Sequence, residues 1–365
     1  MIEKALKGNR SYWAWIVFLI TLVASGLSAY YQQRWFGLAV TGMGRAASFG
    51  VYTTQLTFLT GVSVSAVMVI YLFYLRQQKE LAGTVITALF MAVSAALMSM
   101  LFVVVDMGKP DRILNFMLYP NPSSLFFWDL LLLAGYLATN IISGWAMLGA
   151  EKKGVPPPVW VKSFMYMSIC LALTIFVITA LLYSGLPDLD LLLKVVLALR
   201  FIASAFAAGM ALLILVALVL KQTTGIDTGK EARERLARIA TYSGAAHVLL
   251  LSIQLFTHIT IAGSMMWVSL VFGVVSVTLL ILPVSRKSQL LFVVSCIALV
   301  LSVWVEKSSW LMIGRELISV PLDSTVTYAP TSTEIFVSAG IWSLGMLFIT
   351  AVLKVVVAVK QENEA

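Results

Sequence analysis

The sequence predicts an all-α, polytopic membrane protein with about ten transmembrane helices, arranged as a four-helix bundle, a second bundle and extra helices. Of its 365 residues, 60% are hydrophobic and 12% are charged, and the mean hydropathy is +0.96. These values lie far outside those of soluble domains. Apolar stretches of about 20 residues, the length needed to cross a bilayer, recur along the whole chain.

The predicted spans, in chain order, are 12–31, 50–75, 82–105, 124–149, 160–183, 189–220, 237–259, 264–283, 288–305 and 332–359. The first is too long for the core of a signal peptide, and no small-residue cleavage site follows it, so we expect a retained anchor. Only a few residues separate the seventh and eighth spans, and a count of nine therefore remains open.

Residues that break helices divide this series of predicted spans. Residues 154–158, Gly-Val-Pro-Pro-Pro, cannot continue a helix. They predict a boundary between an N-terminal four-helix bundle over 1–153 and a second bundle of about six helices over 154–365. The segment 306–333 is predicted to be an outer loop, and Thr331 with Glu334 forms a capping box that opens the last helix.

The distribution of Lys and Arg predicts the orientation. When the spans are alternated across the membrane, most basic residues fall on the side that carries both termini. By the positive-inside rule, both termini are then cytoplasmic. The net charge of +8 therefore reflects topology and contact with membrane lipids. Because the basic residues are scattered over many short loops, it does not indicate nucleic-acid binding.

Cysteine and histidine are too few for a metal centre in this chain. The only cysteines are Cys170 and Cys296, and both fall inside spans, whereas an iron–sulfur cluster needs about four thiolates. The only histidines are His247 and His258, about 16 Å apart along one predicted helix, too far apart to ligate one haem iron. The sequence therefore predicts no haem and no iron–sulfur cluster.

The most informative segment is 105–114, Val-Asp-Met-Gly-Lys-Pro-Asp-Arg-Ile-Leu. It places Asp106 in the last turn of the third span, with Gly108 as the predicted C-terminal cap and Pro110 as the stop. Several polar or aromatic residues are expected near the same outer depth or in the loops above it: Tyr52, Gln55, Trp128, Asp129, Arg45 and Arg112.

Two interpretations of Asp106 remain open. A helix C-terminus disfavours an anion, and burial disfavours the charged form of a carboxyl. Asp106 is therefore suited to exchange a proton with a bound ligand. Alternatively, it pairs with Arg45 or Arg112 and only fixes the loops.

A second group of polar residues follows one face of the seventh predicted helix. Ser243, His247, Gln254 and His258 recur at helical spacing. Arg200 lies near mid-membrane on the sixth span, where a charged Arg costs roughly 2.5–3.5 kcal/mol on insertion scales. This row either carries protons partway across the membrane or packs the helices through hydrogen bonds.

Several segments together resemble the NrfD/PsrC family of integral membrane subunits of modular redox complexes. They are 48–52 (Ser-Phe-Gly-Val-Tyr), 58–61 (Phe-Leu-Thr-Gly), 106–110 (Asp-Met-Gly-Lys-Pro) and 123–129 (Ser-Ser-Leu-Phe-Phe-Trp-Asp). Two others, 200–206 and 328–334, resemble the ten-helix branch that contains the DsrP subunit of the dissimilatory sulfite-reductase-linked membrane complex. The chain departs from the pattern at Phe49, where relatives commonly have Trp.

The resemblance implies a subunit of a prokaryotic cytoplasmic membrane complex that binds menaquinone or ubiquinone near the outer face of the first bundle. Asp106, Trp128 and Asp129 are the matched motif positions. We expect Asp106 to exchange the proton, Tyr52, Gln55 or Asp129 to orient the ring, and Arg45 and Arg112 to tune Asp106. The resemblance also implies a ferredoxin-like iron–sulfur partner on the outer side, joined by cytochrome c and cytochrome b-type subunits. Some family members are proposed to move protons through the second bundle.

Two other classes of function remain open. A secondary ion- or proton-coupled transporter would account for Arg200, His247 and His258, although the sequence shows no clear inverted repeat. A passive membrane anchor for a redox complex would make the outer polar residues dispensable for turnover.

Overall fold

A computed structural model describes residues 9–43, 50–184, 191–225, 228–257, 264–282, 288–317 and 328–364. Across these ranges the chain is helical, without strands. The helices are α1 Arg10–Phe36, α2 Val51–Ser65, α3 Val67–Tyr74, α4 Ala82–Asp106, the short α5 Asn115–Leu118, α6 Leu125–Lys152, α7 Val159–Ser184, α8 Leu191–Thr224, α9 Lys230–Thr257, α10 Ser264–Ile281, α11 Gln289–Leu317 and α12 Ser332–Glu364.

The number of spans agrees with the sequence. In the described ranges, nine helical stretches are long and apolar enough to cross a membrane, with α2 and α3 together forming one of them. A tenth apolar helix, Met265–Ile281 within α10, is shorter. The prediction of a polytopic all-α membrane protein with nine or ten spans is therefore confirmed.

Helix α2 lies at the centre of the molecule, in contact with α4, α8 and α11. Small residues allow its close approach to α8. A Cβ added at Gly61 would lie 3.2 Å from the Cβ of Ala205, and one added at Gly209 would collide with the Ser65 side chain. Because lipid tails are as apolar as the helices, close packing of this kind is a main source of helix association in a bilayer.

The two ends of the described chain pack on each other. Helix α1 lies against α12, and Gly26 meets Gly340 so closely that a Cβ on Gly26 would lie 2.7 Å from the Gly340 Cα. Helix α6 also packs on α7. Contacts therefore cross the predicted boundary at 153/154, and the division into two bundles at that point stays a prediction.

Two predicted helix ends are present. Helix α6 ends at Lys152, Gly154 adopts a φ of +63°, and α7 begins at Val159 after the three prolines. At the start of α12, Thr331 N donates to Glu334 Oε2 over 2.8 Å, and Glu334 N donates to Thr331 Oγ1 over 3.4 Å. The capping box is therefore confirmed.

Two other predicted helix ends are wrong. Helix α11 does not stop at 305 but continues to Leu317, because Glu306 and Lys307 are buried and paired inside the bundle instead of leading into a loop. Gly108 does not cap α4 in a left-handed conformation. The cap is Met107, with φ −73° and ψ 118°, and Gly108 instead packs against Leu38.

Candidate functional site

The candidate site is the C-terminal end of α4, where Asp106 faces α2. Its Oδ2 accepts a hydrogen bond from Thr53 Oγ1 over 3.3 Å. Its Oδ1 is buried and has no hydrogen-bond partner among the described residues. Arg112 is exposed and forms no ion pair with Asp106, and Arg45 lies outside the described ranges. A buried acceptor that lacks a donor is costly, so Asp106 is the strongest candidate for ligand contact.

A hydrogen-bonded chain fixes the helices around Asp106. The Tyr52 hydroxyl donates to Gln33 Oε1 over 2.7 Å, and Gln33 Nε2 donates to the carbonyl of Val105 over 2.7 Å. Val105 is in the last turn of α4, where carbonyls lack intrahelical partners. Tyr52 is fully buried, with its ring 6.3 Å from that of Phe102. The structure therefore places Tyr52 as a link between α1, α2 and α4 directly beside Asp106.

A second acidic group, Glu334, borders this region. Glu334 Oε1 accepts from the Tyr328 hydroxyl over 2.8 Å, and the same hydroxyl oxygen accepts from the N–H of Val51 over 2.9 Å. Burial raises the pKa of the Tyr328 phenol, and the negative charges of Glu334 and Asp106 raise it further. Tyr328 therefore stays protonated at neutral pH and donates to Glu334.

Gln55 faces a different interface from Asp106. Its Oε1 accepts from the indole N–H of Trp304 over 3.1 Å and from that of Trp342 over 2.9 Å. An indole N–H is a donor only, so the two tryptophans fix the amide with its oxygen toward α11 and α12. The amide N–H₂ then points elsewhere. Thr53 and Gln55 lie about 200° apart around α2, which separates Gln55 from the Asp106 carboxylate.

Asp129 and Trp128 do not join the Asp106 group either. Asp129 Oδ1 accepts from Thr179 Oγ1 over 3.1 Å, which ties α6 to α7. Trp128 is 40% exposed, and its indole N–H donates to the Pro122 carbonyl over 2.9 Å. Asp106, Gln55 and Asp129 were predicted to lie at one outer depth, but they face three separate helix interfaces.

A buried ion cluster lies between α8 and α11. Arg200 Nη2 is 2.6 Å from Glu306 Oε1, and Lys307 Nζ is 3.2 Å from Glu306 Oε2. The Lys307 ammonium also lies 4.7 Å from the centre of the Phe201 ring. Arg200 thus has the polar partner that its position demands, and that partner is a residue the sequence analysis had assigned to a loop.

The histidine row is only partly within the described structure. His247 is fully buried, and neither ring nitrogen has a hydrogen-bond partner in the described ranges. Gln254 is buried. Ser243 instead donates to the Ile239 carbonyl of its own helix, and His258 lies outside the described residues.

Sequence reasoning missed several of these groups. Gln33, Trp304, Glu306, Trp342 and Glu334 were not expected at a site. An acidic partner for Arg200 could have been predicted, because a mid-membrane guanidinium requires one. The chain has only 17 Asp and Glu residues among which to look for it. The other partners are distant in sequence and depend on how the helices are arranged.

The fold and these buried polar groups define an integral membrane protein with ionisable residues inside its helical bundles. Residues 39–314 match the family model described as polysulphide reductase, NrfD. The chain therefore belongs to the NrfD family. Membership of the DsrP-type branch stays a prediction.

Three relatives place this family in context. A putative dimethyl sulfoxide reductase membrane subunit from Halobacterium salinarum is 22% identical, with 93% of this chain and 90% of the relative aligned. A selenate reductase subunit from Mesobacillus selenatarsenatis is 21% identical, over 34% of this chain and 30% of the relative. The Hdr-like menaquinol oxidoreductase integral membrane subunit of Archaeoglobus fulgidus is 26% identical, over 36% of this chain and 33% of the relative.

Proposed function

We propose that this chain is the quinone-binding membrane subunit of a respiratory redox complex. It exchanges electrons between a menaquinone or ubiquinone pool and an iron–sulfur partner subunit. One observation carries the proposal: the buried Oδ1 of Asp106 has no hydrogen-bond partner among the described residues, at the end of a membrane-spanning helix. The names of the relatives support it: they are a dimethyl sulfoxide reductase membrane subunit, a selenate reductase subunit and the integral membrane subunit of a menaquinol oxidoreductase.

The chemistry of a quinol suits this carboxylate. Oxidation of a quinol to a quinone releases two electrons and two protons, so a hydroxyl of the bound quinol needs a proton acceptor within hydrogen-bond reach. Thr53 holds Oδ2 of Asp106, which leaves Oδ1 as the atom that receives the proton of one hydroxyl, while the proton of the other hydroxyl leaves to water. In quinone reduction the same oxygen returns it. The two electrons pass to or from the iron–sulfur partner.

Residues near Asp106 fix its position, and others are suited to carry the proton away from it. The Tyr52–Gln33–Val105 chain fixes the end of α4, and pre-organised groups are what proton transfer requires. Tyr328 contacts the first residue of α2 and donates to Glu334, and we assign these two residues to passing the proton onward. Quinone binding by Gln55, Trp128 and Asp129 stays a prediction. The tuning of Asp106 by Arg45 and Arg112 also stays a prediction.

The buried ion cluster supports a second proposal, that electron transfer is coupled to proton movement. Glu306 is held between two cations, and Trp304, two residues earlier on α11, donates to Gln55 of α2. A change in charge at Glu306 would therefore act on a helix that reaches the first bundle. We propose Arg200, His247, Gln254 and His258, together with Glu306, as the proton path.

Photolabelling of the purified complex with an azido-quinone tests the location of the site. We expect adducts in peptides covering the start of α2 or the end of α4, and protection by excess menaquinone or ubiquinone. Adducts found solely in other helices would contradict the location. A secondary transporter predicts instead that the isolated chain catalyses uptake into vesicles, and a passive anchor predicts no protectable labelling.

A further inference from the structure

The central membrane span of the molecule is interrupted near its middle. Residues 51–74 form one span, but the regular helix ends at Ser65 in α2 and starts again at Val67 in α3. Proline is the commonest cause of a break in a helix, and this span contains none. The interruption therefore has another cause.

The backbone hydrogen bonds change type at Ala66, between the two helices. In a regular α-helix the N–H of Ala66 would bond the carbonyl of Val62. Here Ala66 N lies 3.4 Å from the carbonyl oxygen of Ser63, three residues back, and Val69 N lies 3.1 Å from that of Ala66. The Val62 carbonyl accepts from the Ser65 hydroxyl over 2.6 Å instead. The turn is therefore of the 3₁₀ type, which inside a longer helix often marks a hinge.

A tyrosine of α6 supplies the cause of this turn. Tyr136 is fully buried, and its hydroxyl donates to the Ser63 carbonyl over 2.9 Å. In a continuous helix that carbonyl accepts from the N–H of Val67. A side chain that inserts into the ladder of backbone bonds bends a helix. Tyr136 therefore holds the interruption of the span in place.

The interruption lies beside the closest contact of α2 with α8. Ser65 fits against Gly209, where an added Cβ would collide with the serine side chain. Beyond the interruption, α3 packs on α4 and α7. The two halves of the span are therefore held by different neighbours, and Ala66 is the pivot between them.

The outer half of the span carries groups of the candidate site. Thr53 donates to Asp106 Oδ2, and Tyr52 donates to Gln33. Thr53 lies about 15 Å along the helix axis from Ser63 at 1.5 Å per residue. A tilt of about 10° over that length would move Thr53 by about 2–3 Å, which is more than a hydrogen bond tolerates. The course of α2 at Ala66 therefore decides whether Thr53 reaches Asp106.

We propose that Tyr136 is a positioning residue of the quinone site. Its hydroxyl fixes the turn at Ala66, and this turn places Thr53 against Asp106. Tyr136 acts through α2 alone, from the middle of the membrane. The proposal rests on the proposed function of Asp106.

The variant Tyr136→Phe removes the hydroxyl alone, and two measurements on the purified complex follow its effect. We expect kcat for quinol to fall by as much as about 100-fold, the effect of a misplacement of about 1 Å, with KM unchanged. We also expect slower hydrogen–deuterium exchange in peptides covering 62–70, because the Ser63 carbonyl becomes free to accept from the N–H of Val67.

The matched control is Tyr74→Phe. The Tyr74 hydroxyl lies 3.7 Å from Met147 Sδ of α6, so this change removes a tyrosine hydroxyl between the same span and α6 without touching the interrupted turn. Both measurements should stay at the wild-type values. A second variant, Ser65→Ala, frees the Val62 carbonyl for the N–H of Ala66 and should shift both measurements in the same direction as Tyr136→Phe.

Unchanged turnover in Tyr136→Phe, measured beside an Asp106→Asn variant that has lost turnover, would overturn this proposal and leave the proposed function intact. Faster exchange over 62–70 with a lower melting temperature would also overturn it, because the hydroxyl would then only stabilise the packing of α6 on α2. Full turnover in Asp106→Asn would instead reject the proposed function, and the positioning role with it.

Discussion

Four carboxylates show how differently this chain accommodates negative charge. Asp111 is exposed and pairs with Arg34 over 2.7 Å. Asp129 accepts from a threonine, and Glu306 lies between two cations. Asp106 alone among these four combines a buried oxygen that lacks a hydrogen bond with the absence of a cationic partner in the described structure. Protonation or a ligand hydroxyl would satisfy that oxygen, which is why the proposed function is centred on it.

Replacement of Gln33 tests the support of the site at the level of single residues. Gln33→Leu leaves the Tyr52 hydroxyl and the Val105 carbonyl buried without partners, at a cost of about 1–3 kcal/mol each. We expect a lower apparent melting temperature of the purified protein. Gln32→Leu, at the adjacent exposed position of α1, is the matched control, and an equal effect of the two changes would contradict the role of Gln33.

At this scale the sequence singled out Asp106 as a candidate for the chemistry, but it did not predict the contacts of that residue. Asp106 could be singled out because a carboxylate at the end of an apolar helix is unusual. The partners Gln33 and Glu334 could not, because they are joined to the site by the packing of α1 and α12, which local patterns do not encode.

The buried ion cluster determines how two helices pair. Arg200 of α8 and Glu306 of α11 are 2.6 Å apart, and both side chains are almost completely buried. Removal of one partner from a buried pair usually costs about 3–5 kcal/mol, whereas replacement of the whole group by apolar side chains is much less harmful. The α8–α11 contact therefore depends on charge balance as well as on packing.

A set of substitutions in this cluster tests that dependence. We expect Glu306→Leu to destabilise the protein strongly, because Arg200 and Lys307 lose their counter-charge. The triple change Arg200→Leu/Lys307→Leu/Glu306→Leu should recover most of the melting temperature. A triple variant less stable than Glu306→Leu would show that the ions themselves, and not their balance, stabilise the contact.

The contact between α1 and α12 can be tested by the size of one side chain. Gly340→Ala introduces a methyl group where the backbone of Gly26 is in close contact, and overpacking of this kind costs about 1–3 kcal/mol. We expect a lower melting temperature. Gly149→Ala, where an added Cβ meets nothing within 4 Å, should have no such effect. Equal stability of the two variants would contradict the close packing.

Helix ends were predicted correctly where prolines or a capping box mark them. The end that was inferred from charged residues was wrong. The three prolines and the capping box predicted the breaks before α7 and α12 correctly. The sequence Glu306-Lys307 suggested a loop, since isolated charges avoid the membrane, but their mutual neutralisation with Arg200 keeps them inside α11.

The orientation of the whole molecule stays a prediction that labelling can decide. In a background with Cys170 and Cys296 replaced by Ala, Tyr119→Cys and Lys153→Cys each place one exposed thiol at opposite ends of α6. By the positive-inside rule, a membrane-impermeant maleimide should label Cys at 119 in intact cells and Cys at 153 only after permeabilisation. The reverse pattern would invert the proposed topology.

The central claim, that Asp106 exchanges protons with a quinol, is tested most directly by quinol-dependent electron transfer in the purified complex. Asp106→Asn keeps the shape of the side chain and its bond to Thr53 but removes the proton acceptor, and removal of general-base catalysis typically lowers turnover by about 10²–10⁴-fold. We predict a loss of that order with normal assembly, while Asp111→Asn, at an exposed carboxylate, retains full turnover. Unchanged turnover in Asp106→Asn would contradict the account and direct attention to His247, Gln254 and Glu306.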